Sequence, residues 1–258
     1  MKLTFLGTST SVGIPVIGCD CHVCISEDPR HLRMRSSVHI ETSSHSLLVD
    51  SGPDLRQQAL RHSLTKVDAV LYTHHHLDHI AGFDELRAFC WHREDPLPLY
   101  STPSCLDELK RIFNWAFSEG NTYKGYIRPL AMPITDSFKL GETRITPIPV
   151  EHGSVETIGY RFDDSELSIA YIPDAKSLKP GSAALLENLD HLIIDCLREQ
   201  PHPTHMSLAE SLEIISAAQP KQAWLTHIAH EMDITKVESM LPPNVKFAYD
   251  TLTLTLTN

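Results

Sequence analysis

The segment THHHLDH, residues 73–79, follows directly on the apolar run AVLY and places four histidines and an aspartate within seven positions. Ligand-type side chains crowded where an apolar run stops constrain this chain more than any other feature. In VDAVLYTH the apolar residues run continuously and include β-branched and aromatic ones, which predicts a buried strand. Side chains at the carboxyl end of such a strand, where the chain turns toward a helix, converge outward, and that is where sites form in layered α/β proteins. His74 and His76 lie two apart in a segment still extended and point the same way, with Asp78 and His79 on the turn into the helix. His75, the middle of the triplet, is expected to face away from its neighbours. One short stretch can thus feed two adjacent metal ions.

Two divalent ions need more donors than this, and three later strand-like runs end on them: PIPVEH at His152, IAYIPD at Asp174 and AWLTH at His227. A carboxylate such as Asp174 can bridge two cations, and each imidazole offers one neutral nitrogen suited to Zn, Mn, Fe or Ni. A lone histidine is ordinarily a surface or core residue; a dense block completed by three separate strand ends is a specific signal.

The remainder reads as strands with helices between them. KLTFLG is a first strand, SVHIET and SLLVDSG form a hairpin around 43–45, and Pro53 to about His62 is a helix. FDELRAFCW and SCLDELKRIFNWAF have helical apolar spacing and flank a short strand, LPLYS. In the second half TRITPIPVEH, TIGYRFD, LSIAYIPD, HLIIDC, QAWLTH, VKFAYD and TLTLTL are strand-like, while AALLENL, SLAESLEIISAAQ and Ile234 to Met240 are helical. Successive strand-rich layers with helices outside predict the α/β class and a four-layer αββα sandwich. No low-complexity linker divides the halves, and 258 residues at 41% hydrophobic suffice for one large core, so residues 1–258 are predicted to form a single domain.

Of the six cysteines, Cys19, Cys21 and Cys24 crowd into CDCHVC while Cys90, Cys105 and Cys196 are scattered. CxCxxC offers three soft donors that suit a tetrahedral structural Zn better than a disulfide framework; the alternative is a redox or simply buried group. His230, three residues beyond His227 in THIAHE, is at hand as a fourth donor. A closed Cys₃His site would tie the N-terminal loop to the loop carrying His227.

HxHxDH at 74–79, followed by His152, Asp174 and His227 and preceded by LLVDSG, resembles the metallo-β-lactamase superfamily over most of the chain. The resemblance implies the metallo-β-lactamase fold and a binuclear site, with His74, His76 and His152 on one ion, Asp78, His79 and His227 on the other, and Asp174 between them. It also implies that Asp50 organises the site by hydrogen bonding without being a ligand. GTSTSVGIPVIGCDCHVC together with THHHLDH and THIAHE, from Leu3 to about Asp250, is similar to the PhnP-type phosphodiesterases, the phosphoribosyl 1,2-cyclic phosphate phosphodiesterases. That likeness implies a phosphoric diester hydrolase in which two divalent ions (Mn, Zn, Ni or Fe) supply the hydroxide that opens a small cyclic phosphodiester. It implies that Cys19, Cys21, Cys24 and His230 hold a structural Zn. Asp78 and His205 are the expected catalytic residues. His205 is chosen because a PhnP-type enzyme carries a histidine after a strand ending in DC and uses it to protonate the leaving oxygen. His202 is near enough in sequence to be confused with it, and Ser207 would cap the next helix. Arg198 and the loop DAKSL are candidates to meet a distal phosphate.

The chain carries 33 Asp and Glu against 22 Lys and Arg, a formal net charge of -11, which argues against long DNA or RNA as a partner. The N-terminus has no apolar signal core and no run approaches a membrane span, so the expectation is a cytoplasmic protein with no membrane partner and a small phosphodiester as substrate. The same fold also serves tRNA 3′-processing-type endonucleases, thioester or lactone hydrolases, and non-catalytic carrier proteins. The acidic balance and the cysteine cluster count against the first, and seven filled ligand positions count against the last. TLTLTLT at 251–257 offers a surface for a homodimer, although its alternation suits an ordinary edge strand equally well.

Overall fold

Alternation along single strands sorts their apolar residues among three cores. The computed structural model describes every residue except 122, 124, 166 and 256–258. The first sheet comprises β1 (Lys2–Gly7), β2 (Ser37–Glu41), β3 (Ser46–Val49), β4 (Ala69–Leu71), β5 (Leu97–Ser101) and β6 (Pro129–Pro133). The second comprises β7 (Phe138–Leu140), β8 (Thr143–Glu151), β9 (Thr157–Asp164), β10 (Leu167–Ile172), β11 (Ser177–Leu178), β12 (His191–Asp195), β13 (Gln222–Thr226) and β14 (Val245–Phe247). A last strand, β15 (Thr253–Thr255), returns to the first sheet, whose order is β15-β1-β2-β3-β4-β5-β6; the second runs β11-β8-β9-β10-β12-β13-β14, with β7 paired to β8.

Leu47 and Val49 of β3 enter the core between the sheets, while Leu48 enters the core beneath the outer helices. Likewise Leu71 faces inward, and Val70 and Tyr72 outward. In the second sheet Ile169 and Tyr171 face the first sheet, whereas Ala170 and Ile172 face the other outer layer. Strands buried on both faces read as the continuous apolar runs seen in the sequence. The outer layers contain α1 (Leu55–Arg61), α2 (Leu77–Ile80), α3 (Pro103–Ile112) and α4 (Asn114–Phe117) on one side, and α5 (Leu208–Ala218) and α6 (Ile234–Val237) on the other. The result is the four-layer αββα sandwich of the metallo-β-lactamase fold.

Local chemistry explains the helix ends. Thr102 accepts a bond from the Cys105 amide with Pro103 in the first turn of α3, and Ser207 forms a reciprocal capping box with Glu210 at the start of α5. α5 stops at Gln219, in the left-handed region, before Pro220.

Two segments expected as α-helices are 3₁₀ turns, Phe83–Phe89 and Ser182–Leu186, because apolar spacing in so short a run does not separate i+3 from i+4 bonding. Three strands escaped the sequence pattern, among them the two-residue β11 within DAKSL. β6 has proline at both ends and sits at the edge of its sheet, where residues that cannot donate to a ladder are tolerated; β7 is three residues long. β15 pairs antiparallel with β1 (Leu3 opposite Leu254), and the last two residues of TLTLTLT, 256 and 257, lie outside the described residues. Among the described residues no helix is long and apolar enough to cross a membrane.

β8 and β10 both run antiparallel to β9, and β12 and β13 are parallel to β10, so the carboxyl ends of these four strands share one rim. On the first sheet β3, β4 and β5 are parallel to one another. The strand ends read from the sequence as ligand carriers meet where these two rims face.

One buried histidine far from that rim makes the fold sensitive to acid. His39 of β2 donates through Nε2 to Ser46 Oγ (2.8 Å), whose hydroxyl donates in turn to the Lys66 carbonyl (2.6 Å). Burial holds its imidazole down at about 4 against an ordinary 6.5. The unfolded chain therefore takes this proton first, so the contribution is complete above pH 6.5 and is lost as pH falls toward 4, a change of about 3 kcal/mol. Urea unfolding of the wild type and of His39→Gln between pH 7 and 4 is expected to converge by that amount; a constant difference would show that His39 does not titrate on unfolding.

Candidate metal centre

The wall contributed by the first sheet is built around Asp50, which follows β3 with φ of 62° and is fully buried. Its Oδ1 accepts from the Thr73 amide (2.9 Å), and its Oδ2 accepts from Thr73 Oγ1 (2.9 Å) and from His79 Nδ1 (2.7 Å). The loop after β3 also bonds directly to the ligand helix, Ser51 amide to His79 carbonyl (2.8 Å) and Gly82 amide to Ser51 carbonyl (2.9 Å). This approach requires glycine at two places. A Cβ on Gly52 would lie 2.1 Å from the Asp78 carbonyl oxygen, and one on Gly82 would lie 2.0 Å from that of Gly52.

All seven sequence-predicted donors of the rim come together, in two groups that share Asp174. In the first, His74 Nε2 is 2.9 Å and His152 Nε2 3.2 Å from His76 Nδ1, and His74 Nε2 is 3.3 Å from Asp174 Oδ2. In the second, His79 Nε2 is 2.9 Å from Asp174 Oδ2 and 3.3 Å from Asp78 Oδ2, while His227 Nε2 is 2.8 Å from Asp174 Oδ1. The donor atoms of each group all lie within 4.8 Å of one another. His227 itself adopts a φ of 59°, a sparsely populated region for a residue with a side chain. His75 belongs to neither group and does not line the cleft between them.

The chemistry of these donors fits cations. Burial pushes His74, His76 and His152 below the ordinary histidine range, so they stand neutral. Thr73 Oγ1, already donating to Asp50, accepts from His74 Nδ1 (3.0 Å), and the Thr204 carbonyl accepts from His152 Nδ1 (2.9 Å). Both imidazoles therefore turn unprotonated Nε2 atoms toward the same point. In the second group, burial alone would depress His79, but Asp174, Asp78 and Asp50 outweigh it and hold His79 well above its ordinary range. Burial would likewise raise Asp174, yet His227 and His79 hold it well below the carboxylate range. Despite their short separations, His79 Nε2, His227 Nε2 and Asp174 Oδ1 make no hydrogen bond. Their atoms are aimed at common points, and the site is organised to receive positive charge. The set suits a binuclear metal centre.

A second donor set lies on the N-terminal loop. Cys19 and Cys21 Sγ are each 3.4 Å from His230 Nδ1, and Cys24 Sγ is 3.7 Å away; all six cysteines are free thiols. A tetrahedral ion with Zn–S of about 2.3 Å and Zn–N of about 2.0 Å has edges in this range. The backbone–sulfur bond within the loop and His230 bring the Cys21 thiol down to about 6, and burial pushes Cys24 up to about 11.

Between the groups opens a cleft of about 540 Å³ lined by Ser11, Leu77, Asp78, Ser154, Thr204 and His205 among others. His205 donates through Nδ1 to Asp195 Oδ2 (2.9 Å), which also accepts from the Ala175 amide (2.9 Å). Its ring lies 4.7 Å from those of both His152 and His227. Burial pushes His205 down and Asp195 well up. His202 instead bonds Thr204 through Nδ1 and does not line the cleft. The two cations offered for a distal phosphate are engaged elsewhere, Lys176 with Glu210 and Arg198 with Glu231. Asp195 is not among the sequence-predicted residues: it ends β12, and only the pairing of β12 with β10 brings it beside the site. Thr204 acts through its backbone carbonyl, which no side-chain pattern reveals.

A family model described as a β-lactamase superfamily domain matches residues 45–228. Among solved structures, the chain is 37% identical to a diphosphatase of the PhnP family, with a TM-score of 0.90 and coverage of 98% of this chain and 96% of that one. By sequence it is 32% identical over 257 residues to an octanoyltransferase of Porphyromonas gingivalis, covering 98% of this chain and 51% of that protein, so it spans about half of that relative's length. It is 27% identical over 227 residues to the coenzyme PQQ synthesis protein B of Methylobacterium radiotolerans, covering 76% and 72%. The chain belongs to the metallo-β-lactamase superfamily, within its PhnP family.

Proposed function

We propose that this protein is a metal-dependent phosphoric diester hydrolase that opens a small cyclic phosphodiester of the phosphoribosyl 1,2-cyclic phosphate type. The observation that carries the reading is His205, set in the cleft beside both donor groups with its Nδ1 committed to a buried carboxylate. In this reading His74, His76 and His152 hold one divalent ion, Asp78, His79 and His227 the other, and Asp174 both, while Cys19, Cys21, Cys24 and His230 hold a Zn. Bound at the rim, the ion pair supplies an activated water at neutral pH and positive charge against the phosphoryl oxygens.

The chain's own groups do the rest. Asp174 turns Oδ2 toward His74 and His79 and Oδ1 toward His227, which sets the spacing of the two groups. Asp78 lines the cleft and orients the incoming water as an acceptor. Asp195 holds the His205 tautomer that leaves Nε2 free, and a proton carried there passes to the departing alkoxide. An alkoxide is a poor leaving group, so a donor in this place matters most for an alkyl diester. A second reading is favoured by the 37% identical relative described as a diphosphatase: cleavage of a phosphoanhydride, whose phosphate leaving group depends less on a proton donor.

Metal analysis of the reconstituted protein is expected to give three divalent ions per chain, with Cys21→Ser losing one and Asp174→Ala losing one or both of the rim ions. Three ions retained in Asp174→Ala would show that the carboxylate is not shared. For the chemistry, the Mn-loaded protein is offered a five-membered cyclic ribose phosphate, a linear aryl phosphodiester and a dinucleoside diphosphate. The cyclic ester is expected to turn over fastest, and His205→Ala to lower that rate about 10²–10³-fold while sparing the aryl ester. Preferential turnover of the dinucleoside diphosphate, with little effect of His205→Ala, would establish the diphosphatase reading instead.

A further inference from the structure

The loop that carries His205 is closed by backbone bonds at its base, Leu197 amide to Met206 carbonyl and Leu208 amide to Arg198 carbonyl, both 2.9 Å. One side chain at its base bonds back onto it. Arg198 donates through Nε to the Gln200 carbonyl (3.4 Å), through Nη2 to the Pro201 carbonyl (3.3 Å) and through Nη1 to Glu231 Oε1 (3.0 Å). The other oxygen of Glu231 lies 3.6 Å from His230 Nε2, and the Nδ1 of that same ring faces the three cysteines. A backbone bond from the Ala229 amide to the Leu197 carbonyl (2.9 Å) runs alongside.

We propose that Arg198 and Glu231 are positioning residues that clamp the His205 loop to the cysteine–histidine cluster, so that occupancy of that cluster fixes where the proton donor stands. This rests on the reading of His205 as donor and of the cluster as a Zn site.

An exposed ion pair by itself contributes little to stability, and Glu231 is 45% exposed. The role of this pair is geometric. A guanidinium presents several donors in a fixed plane, and here they join two loop carbonyls to a carboxylate on the neighbouring segment. A histidine coordinated through one nitrogen becomes a better donor through the other, and carboxylates that receive that bond orient the ring and strengthen its hold on the metal. Occupancy of the cluster therefore draws Glu231 toward His230, and Arg198 carries the restraint into the loop. The loop reports to the rim twice, through His205 and through the Thr204 carbonyl that orients His152.

The test uses the fully metallated protein and Arg198→Met, Glu231→Gln, the double variant and Arg198→Lys. Three quantities are read: release of Zn from the cluster to a chromogenic chelator, hydrogen exchange of residues 199–206 against that of α5, and kcat and KM on the cyclic and aryl esters. Each single variant and the double are expected to speed Zn release about tenfold. They should also raise exchange in the loop alone and lower kcat on the cyclic ester severalfold, with KM unchanged and a smaller loss on the aryl ester, which feels the loop only through Thr204 and His152; Arg198→Lys, keeping the charge, should recover part of this. Equal loss on both esters, or unchanged Zn release and loop exchange, would overturn the clamp. If His205→Ala leaves the cyclic ester untouched, the donor reading fails separately, and Zn release and loop exchange alone decide whether the clamp exists.

Discussion

A carboxylate removed completely from water has to find its partners within the chain, and the arrangement of the ligand wall follows from how Asp50 finds them. Its three bonds join the end of β3 to the end of β4 and to α2. Because the Thr73 hydroxyl is turned toward Asp50, its oxygen is left to accept from His74. One buried charge thus sets the ring orientation of His74 in the first donor group and of His79 in the second. Asp174 then stands where the two groups meet, stabilised as an anion by the imidazoles around it.

Much of this was legible in the sequence because the site is made of strand ends. THHHLDH, His152, Asp174 and His227 each follow an apolar run, and period-two burial on both faces of those runs is the pattern that a four-layer sandwich imposes. The CxCxxC cluster and His230 were equally visible, since soft donors at close spacing have few other uses. What escaped depends on longer-range relations. Asp195 becomes meaningful only when β12 is known to lie beside β10, and the Thr204 carbonyl only when the loop is seen to fold over His152. β6 was hidden by prolines that an edge position accepts. The engagement of Arg198 and Lys176 by acidic neighbours could not be read from composition, which records charges and not their pairings.

Those pairings shape the cleft electrostatically. Arg35 bonds Asp54 and the Ser11 carbonyl, Lys176 bonds Glu210, and Arg198 bonds Glu231. Among the described residues that line the cleft there is no lysine or arginine. In a chain of net charge -11, any attraction of an anionic group into the cleft therefore falls to whatever the histidine and aspartate donors hold. Ser11, Ser154, Thr204, Leu77 and Val155 line the rest of the cleft.

The close approach of the loop after β3 to the ligand helix has a consequence for substitution. Neither Gly52 nor Gly82 can accept a methyl group without displacing backbone, that of Asp78 in the first case and that of Gly52 and Ser51 in the second. Leu77, exposed between Asp78 and His76, meets no such steric limit; these two glycines do. Two positions that bind nothing at all thus limit how the segment carrying Asp78 and His79 can sit against the loop after β3.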